Sequence, residues 1–279
     1  MKYKIIADTA CDLSKELQEE LNISYVPFKI TVEDKEFIDD DNIDIKELIE
    51  AMGNSELPIK TACPAPFDYL QELEKVEEDN IFIITISKHL SASYNSANIA
   101  ANEFKEKNPN KNIYVVDSES ASAGETSLVF KMIDILDEED DFNSAIGKIT
   151  EAVKNNFTFF VLESLDNLIK NGRIKKVSGL IANVLNIRPI MHGVEGDIKL
   201  YEMNRGFKRA LSKLADSLGK VCDDLEERVL FISHADALEK ANEFKEKVKE
   251  LYNFKDIVII HTKGLSTGYA DHGGIVIGF

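Results

Sequence analysis

With 279 residues, 44% hydrophobic and 30% charged, the chain has the length of one large or two ordinary globular domains. A formal net charge of −17 excludes non-specific nucleic-acid binding, which depends on basic surface, and disfavours anionic membranes. No apolar run approaches the roughly 20 residues of a membrane span, so stable membrane insertion is not expected.

The amino terminus enters a strand almost at once, Tyr3 to Ala7, with no secretory leader ahead of it, and a cytoplasmic location is expected. Asp8-Thr9-Ala10-Cys11-Asp12 follows, and Asp12 or Ser14 starts a helix carrying Leu13, Leu17 and Leu21. Ile23 to Val32 reads as one alternating strand, and Asp39-Asp40-Asp41 as a solvated acidic loop. A short helix from Ile45 ends at Gly53. Thr61 then precedes a turn stiffened by Pro64 and Pro66, with Pro66 opening a helix from Phe67 to Val76.

Ile81 to Phe104 is the stretch around which the rest is arranged. Its β-branched run to Ile86 predicts a strand buried on both faces. Ser87, Ser91 and Ser93 follow, and Ala97, Ala100, Ala101 and Phe104 then form a helical stripe of small spacing. The serines therefore lie where a strand's carboxyl end meets a helix's amino end, the place where open α/β sheets bind ligands and where free N–H groups favour an anion. Two readings stand for Ser91 and Ser93: helix capping, or anion binding. Asn112 to Asp117 is another buried strand, followed by the small, hydroxylated Ser118 to Gly124. Three strand ends thus bring Asp8-Thr9, Ser91-Ser93 and Ser118-Ser122 to one edge of one parallel sheet.

After a helix from Asn143 to Asn155 the pattern changes. Phe157 to Leu162 is a strand, a short helix stops at Asn171-Gly172 before Arg173, and Ile187 to Met203 forms a hairpin turning at Gly193 to Gly196. Arg205 precedes an amphipathic helix to Cys222. Strand, helix, strand and strand complete the chain at Val229–Ile232, Ala241–Leu251, Ile257–Ile260 and Ile275–Phe279. The fold class is α/β: an open, mostly parallel sheet flanked by helices over residues 1–153, and an α+β layer unit over 154–279, with a ligand between them.

Motifs for bond-making chemistry are missing. There is no GxGxxG, no GxxxxGK[ST], no GxSxG and no HExxH, and the three cysteines form no CxxC, so neither a catalytic residue, a metal site nor a cofactor is expected.

The residues instead resemble the DegV family of bacterial fatty-acid-binding proteins, acyl carriers for fatty acid kinase. Asp8 to Leu13 is similar to that family's D-S/T-x-x-D-L. Thr61 to Pro66 resembles T-S-Q-P-S/T-P, and Ser87 to Ala97 resembles S-x-x-L-S-G-T-Y-x-S-A. Val115 to Ser118, Leu168 to Ile174 and Leu185 to Pro189 resemble V-x-D-S, L-x-x-G-G-R-I and L-x-I-K-P. Ala92-Ser93 stands where Gly-Thr is usual, and Asn171 where Gly is usual. The region of the family's H-x-G-P-G is occupied by Gly268 to Gly274, its histidine displaced to His272. The resemblance implies a fatty acid between two units, its carboxylate on Thr61, Ser91, Ala92 and Ser93 with His272, its tail in a tunnel of the 154–279 unit. It also implies presentation to a separate kinase, with Arg173 and Arg205 touching that partner or the phosphate. The alternative is an enzyme acting on a small phosphorylated or carboxylated metabolite, with Arg173 and Arg205 as an anion clamp. A polar open cleft would favour the enzyme, a closed apolar tunnel the lipid.

Overall fold

The structure, a computed structural model, describes residues 1–174 and 186–279. Leu185, the first residue of the Leu185–Pro189 resemblance, lies outside them.

In chain order the first half contains β1 (Tyr3–Asp8), α1 (Lys15–Glu20), β2 (Ile23–Val26), β3 (Lys29–Val32), β4 (Lys35–Ile38) and α2 (Ile45–Asn54). It continues with β5 (Lys60–Ala62), α3 (Pro66–Leu73), β6 (Asn80–Thr85), α4 (Ser93–Lys107), β7 (Asn112–Asp117), α5 (Ala123–Glu138) and α6 (Phe142–Lys154). The second half contains β8 (Thr158–Val161), α7 (Asp166–Lys170), β9 (Ile190–Val194), β10 (Asp197–Glu202) and α8 (Phe207–Val221). Then come β11 (Val229–His234), α9 (Leu238–Leu251), β12 (Asp256–His261), α10 (Gly264–Ala270) and β13 (Ile275–Gly278).

The first sheet has the order β2-β1-β6-β7 and is parallel throughout. Its strands are apolar on both faces because helices cover both. Ile81 and Ile83 pack with Tyr69, Leu73, Ala97 and Phe104 on the α3–α4 side. Phe82 and Ile84 pack with Met132, Leu136 and Ile149 on the α5–α6 side. The loops after β1, β6 and β7 consequently leave the same edge, as the sequence predicts.

A six-stranded sheet, β10-β9-β8-β13-β11-β12, is antiparallel except for the β11–β12 pair. The β9–β10 hairpin turns at Glu195 and Gly196, both at positive φ. One face of this sheet takes α8 and α9 through Leu214, Leu218, Phe244 and Val248. The other meets α5: Phe130 and Phe231 have ring centroids 4.7 Å apart. At Gly278 a Cβ would sit 2.2 Å from the Ala123 carbonyl oxygen, so glycine permits this close approach.

Three expectations are corrected. Ile23 to Val32 is two strands, β2 in the parallel sheet and β3 in a small antiparallel sheet of order β4-β3-β5. Pro27 supplies no N–H for a ladder, and the Phe28 N–H is taken by Thr9 Oγ1 at 3.0 Å, so the chain changes sheet there. The acidic run is not wholly solvated. Asp39 is fully buried and accepts from the N–H groups of Gly264 (2.7 Å) and Leu265 (2.8 Å), the first turn of α10. Burial pushes its carboxyl up to about 6, against the pull of Lys263 and those two N–H bonds. Finally, α10 interrupts what reads as consecutive strands. Its Gly264 and Gly268 lower helix propensity, and tertiary contacts hold it: a Cβ at Gly268 would meet Ile59 Cδ1 at 2.7 Å.

Candidate ligand-binding site

Between the carboxyl edge of the parallel sheet and the six-stranded sheet lies a cavity of about 390 Å³. Its walls are mainly hydrocarbon, among them Phe28, Ile86, Leu90, Phe160, Leu162 and Val276. That size and lining are those of a small-molecule site whose few polar groups set orientation.

One group of polar side chains gathers where β5, α10, the β6–α4 loop and the turn after α7 meet. β5 pairs with β3 so that Thr61 lies opposite Ile30, facing the cavity wall. The Thr61 and Tyr269 hydroxyls are 2.8 Å apart. The Arg173 guanidinium lies 5.9 Å from the Tyr269 ring centroid and donates from Nε to the Leu90 carbonyl at 3.2 Å. Gly172, at φ +75°, turns the chain out of α7 to aim Arg173 there. Ser91 Oγ accepts at 3.2 Å from the N–H of Ser93, the first residue of α4, while Ser91 and Ala92 both line the cavity. The Ala92 N–H has no acceptor among the described residues. Two hydroxyls, a helix-start amide and a half-buried guanidinium are hydrogen-bond donors of the kind that can face an anionic group.

Not every expected residue reaches this cluster. Ser93 is fully buried behind it, donating to Asp8 Oδ2 at 2.6 Å and lying 2.7 Å from the Tyr69 hydroxyl. His272 does not line the cavity: it is 62% exposed, and its Nε2 lies 3.3 Å from Asp236. Arg205 is exposed and also outside the lining, in a β-bridge with Ile187. Sequence reasoning missed Tyr269. Its signal was a lone aromatic residue in the small-residue stretch Gly264 to Gly274.

Beneath the sheet edge is a set of buried acids. Asp8 accepts from the Ile86 and Ala10 N–H groups, each at 3.1 Å, and from Ser93, which organises the β1 and β6 loops together. Burial raises its carboxyl to about 6 despite those bonds. Asp12 accepts from Ser122 and, at 2.8 Å, from the Lys263 N–H, tying the β1 loop to α10. Ser122 adopts φ +56° and ψ −133°, a strained backbone for a residue with a side chain. Glu125 is fully buried with neither carboxyl oxygen paired among the described residues. Its pKa is pushed well up by burial and by Asp8, Asp12 and Asp117, which all favour the uncharged form. Among the described residues no cluster of His, Cys, Asp and Glu is placed to hold a metal ion, and no helix is long and apolar enough to cross a membrane.

Comparison with known proteins agrees with this architecture. The family model for "Uncharacterised protein, DegV family" matches residues 2–277. A DegV domain-containing protein of Streptococcus pneumoniae is 34% identical over 282 residues, covering 100% of this chain and 99% of the relative. One from Streptococcus gordonii is 35% identical over the same span, with the same coverage. A DegV family protein from Ruminococcus gnavus, solved with vaccenic acid, superposes with a TM-score of 0.94 at 34% identity, over 99% of each chain. The Streptococcus pneumoniae Fatty Acid Kinase (Fak) B3 protein loaded with linoleic acid gives 0.89 at 33%, over 100% of this chain and 99% of that one. Matched from end to end in both sequence and architecture, the chain belongs to the DegV family.

Proposed function

We propose that this protein binds a long-chain fatty acid and presents its carboxylate to a separate kinase for acyl-phosphate formation. The observation that carries this reading is the apolar cavity with Thr61, Tyr269, Ser91 and Arg173 gathered in one part of its wall. Each buried methylene contributes about 0.8 kcal/mol, so the tail supplies affinity and the polar group supplies direction. The carboxylate takes hydrogen bonds from Thr61, Ser91 and the Ala92 amide, with Arg173 offsetting its charge; Ser93 holds the Ser91 loop from behind. The negative protein accepts an anion because long-range repulsion is screened beyond about 8 Å at physiological salt. Residues 1–153 carry the head-group turns and 154–279 much of the tail wall, in a cytoplasmic carrier. In this reading Arg205, exposed outside the cavity, meets a partner's negative groups.

Related DegV proteins solved with vaccenic, linoleic and heptadecanoic acids support the lipid reading. A polar metabolite would leave most of this hydrocarbon wall unmatched, which weighs against the alternative of a metabolite enzyme. The test is mass spectrometry of lipid extracted from the purified protein, with thermal shift of the delipidated protein on adding palmitic acid. A copurifying fatty acid and a raised Tm are expected. Repeated absence of both overturns the proposal.

A further inference from the structure

The β9–β10 hairpin projects beyond the sheet that carries it. β8 and β9 pair only at Phe159–His192 and Phe160–Met191, and Phe157, just before β8, exchanges both backbone bonds with Phe279 instead. β10 is an edge strand, so residues 193–197 have no ladder partner outside the hairpin. A corner in that position is ordinarily exposed, yet Gly196 is buried.

The β6–α4 loop covers it. Ser87 Oγ donates to the Gly196 carbonyl at 2.8 Å, and His89 Nδ1 lies 3.4 Å from Asp197 Oδ1. Among the described residues these are the only side-chain hydrogen bond and ion pair that the tip makes. Gly196 stands at φ +81°, where a Cβ would fall 2.6 Å from Ser87 Oγ and 3.5 Å from His89 Nδ1, so glycine permits this approach. Ser87 is fully buried, whereas His89 and Asp197 are 42% and 47% exposed, so the seam between loop and tip runs from the interior to solvent.

Open space borders the tip twice. Gly193, Gly196, Asp197 and Ile198 line the cavity described above. His192, Gly193, Val194 and Glu195 line a second cavity of about 490 Å³. The tip is a partition between the two, with room to move that a packed interior would deny it. The loop that pins it continues into Ser91 and Ala92, which line the first cavity.

We infer that the β9–β10 tip is a gate: a fatty acid enters and leaves where the tip meets the β6–α4 loop, and the Ser87–Gly196 and His89–Asp197 contacts latch it shut. The latch is closed in both the empty and the loaded protein and breaks only during passage. It therefore sets the rates of loading and release, and leaves their ratio alone. The inference rests on the fatty-acid reading above and adds the route of entry and its control.

The test is stopped-flow binding of cis-parinaric acid to the full, delipidated chain, with release followed on adding excess palmitic acid. In Ser87→Cys/Gly196→Cys a disulfide bridges the seam, since a Cβ at 196 already falls beside the Ser87 oxygen. Oxidised, this variant should load and release at least about tenfold more slowly than when reduced, because the gate is tied. Ser87→Cys alone, under the same oxidant, controls for Cys11, Cys63 and Cys222. Ser87→Ala/Asp197→Asn removes both contacts and should speed loading and release together by roughly tenfold, with Kd within about twofold of natural. That variant decides the matter if the left-handed backbone at 196 keeps the double cysteine protein from folding. Equal rates in the oxidised and reduced forms overturn the inference, as do natural rates in Ser87→Ala/Asp197→Asn. A changed Kd at an unaltered loading rate also overturns it, since the tip is then a wall and not a gate. These outcomes remove this inference only; failure of the natural protein to bind either acid removes the fatty-acid reading as well.

Discussion

Replacing Thr61 with valine keeps the side chain's shape and deletes one hydroxyl, so it isolates the head-group bond. In the empty protein that hydroxyl lies 2.8 Å from the Tyr269 hydroxyl, a neutral pair worth about 1 kcal/mol. Thr61→Val should therefore lower the empty protein's Tm by only a few degrees. Against a bound carboxylate the same hydroxyl makes a charge-assisted bond, worth about 1.5–3 kcal/mol, or roughly 10- to 150-fold in Kd. Because Thr61 and Tyr269 share that proton network, Thr61→Val and Tyr269→Phe should be non-additive, coupling by about 0.5–3 kcal/mol in a double-mutant cycle. The assay is calorimetric titration with palmitic acid and, as a neutral control, hexadecanol. The variant should lose much of its preference for the acid while its affinity for the alcohol changes little. If Thr61→Val binds the acid with natural affinity, the carboxylate does not lie on Thr61 and the orientation argued above is wrong.

Four further outcomes are expected. Arg173→Ala, which removes the guanidinium from the cavity wall, should weaken fatty-acid binding by about tenfold. Arg205→Ala should leave binding intact but slow acyl-phosphate formation in an assay with a cognate kinase and ATP; equal loss in both assays would place Arg205 on the ligand. Glu125→Gln should stabilise the protein at neutral pH. The Glu125 carboxyl titrates higher folded than unfolded, so its contribution is fullest below the ordinary glutamate value of about 4.3 and falls by up to about 1.4 kcal/mol per pH unit as pH rises towards the folded pKa. Melting curves of both proteins should thus converge near about pH 4 and separate above it; parallel curves would show Glu125 ionised and solvated. Gly278→Ala drives a Cβ into the Ala123 carbonyl and should cost about 1–3 kcal/mol, visible as a lower denaturation midpoint.

What the sequence alone determined was local or periodic. Runs of β-branched residues mark β6 and β7 because burial on both faces leaves no polar position, and the Glu195-Gly196 corner marks the hairpin because its turn needs positive φ. The three hydroxyl-bearing strand ends converge because parallel strands joined by helices put their carboxyl ends on one edge. Three of the family motifs fall on these same strand ends and another on β5, and the Thr61, Ser91 and Ala92 they single out all line the cavity. Tertiary structure decided the rest. Pairing with β3 turns Thr61 inward, and α10, a helix with two glycines, exists because the buried Asp39 caps it from more than two hundred residues away. That helix delivers Tyr269 to Thr61, a meeting no local pattern encodes. Ser93 and Ser91 look alike as neighbouring hydroxyls, yet Asp8 draws Ser93 into the core and leaves Ser91 at the cavity. His272 had the right residue type in the right region, but the turn after α10 carries it to the surface beside Asp236. Spacing along a chain determines which residues share an element; only packing between elements determines which side chains share a cavity.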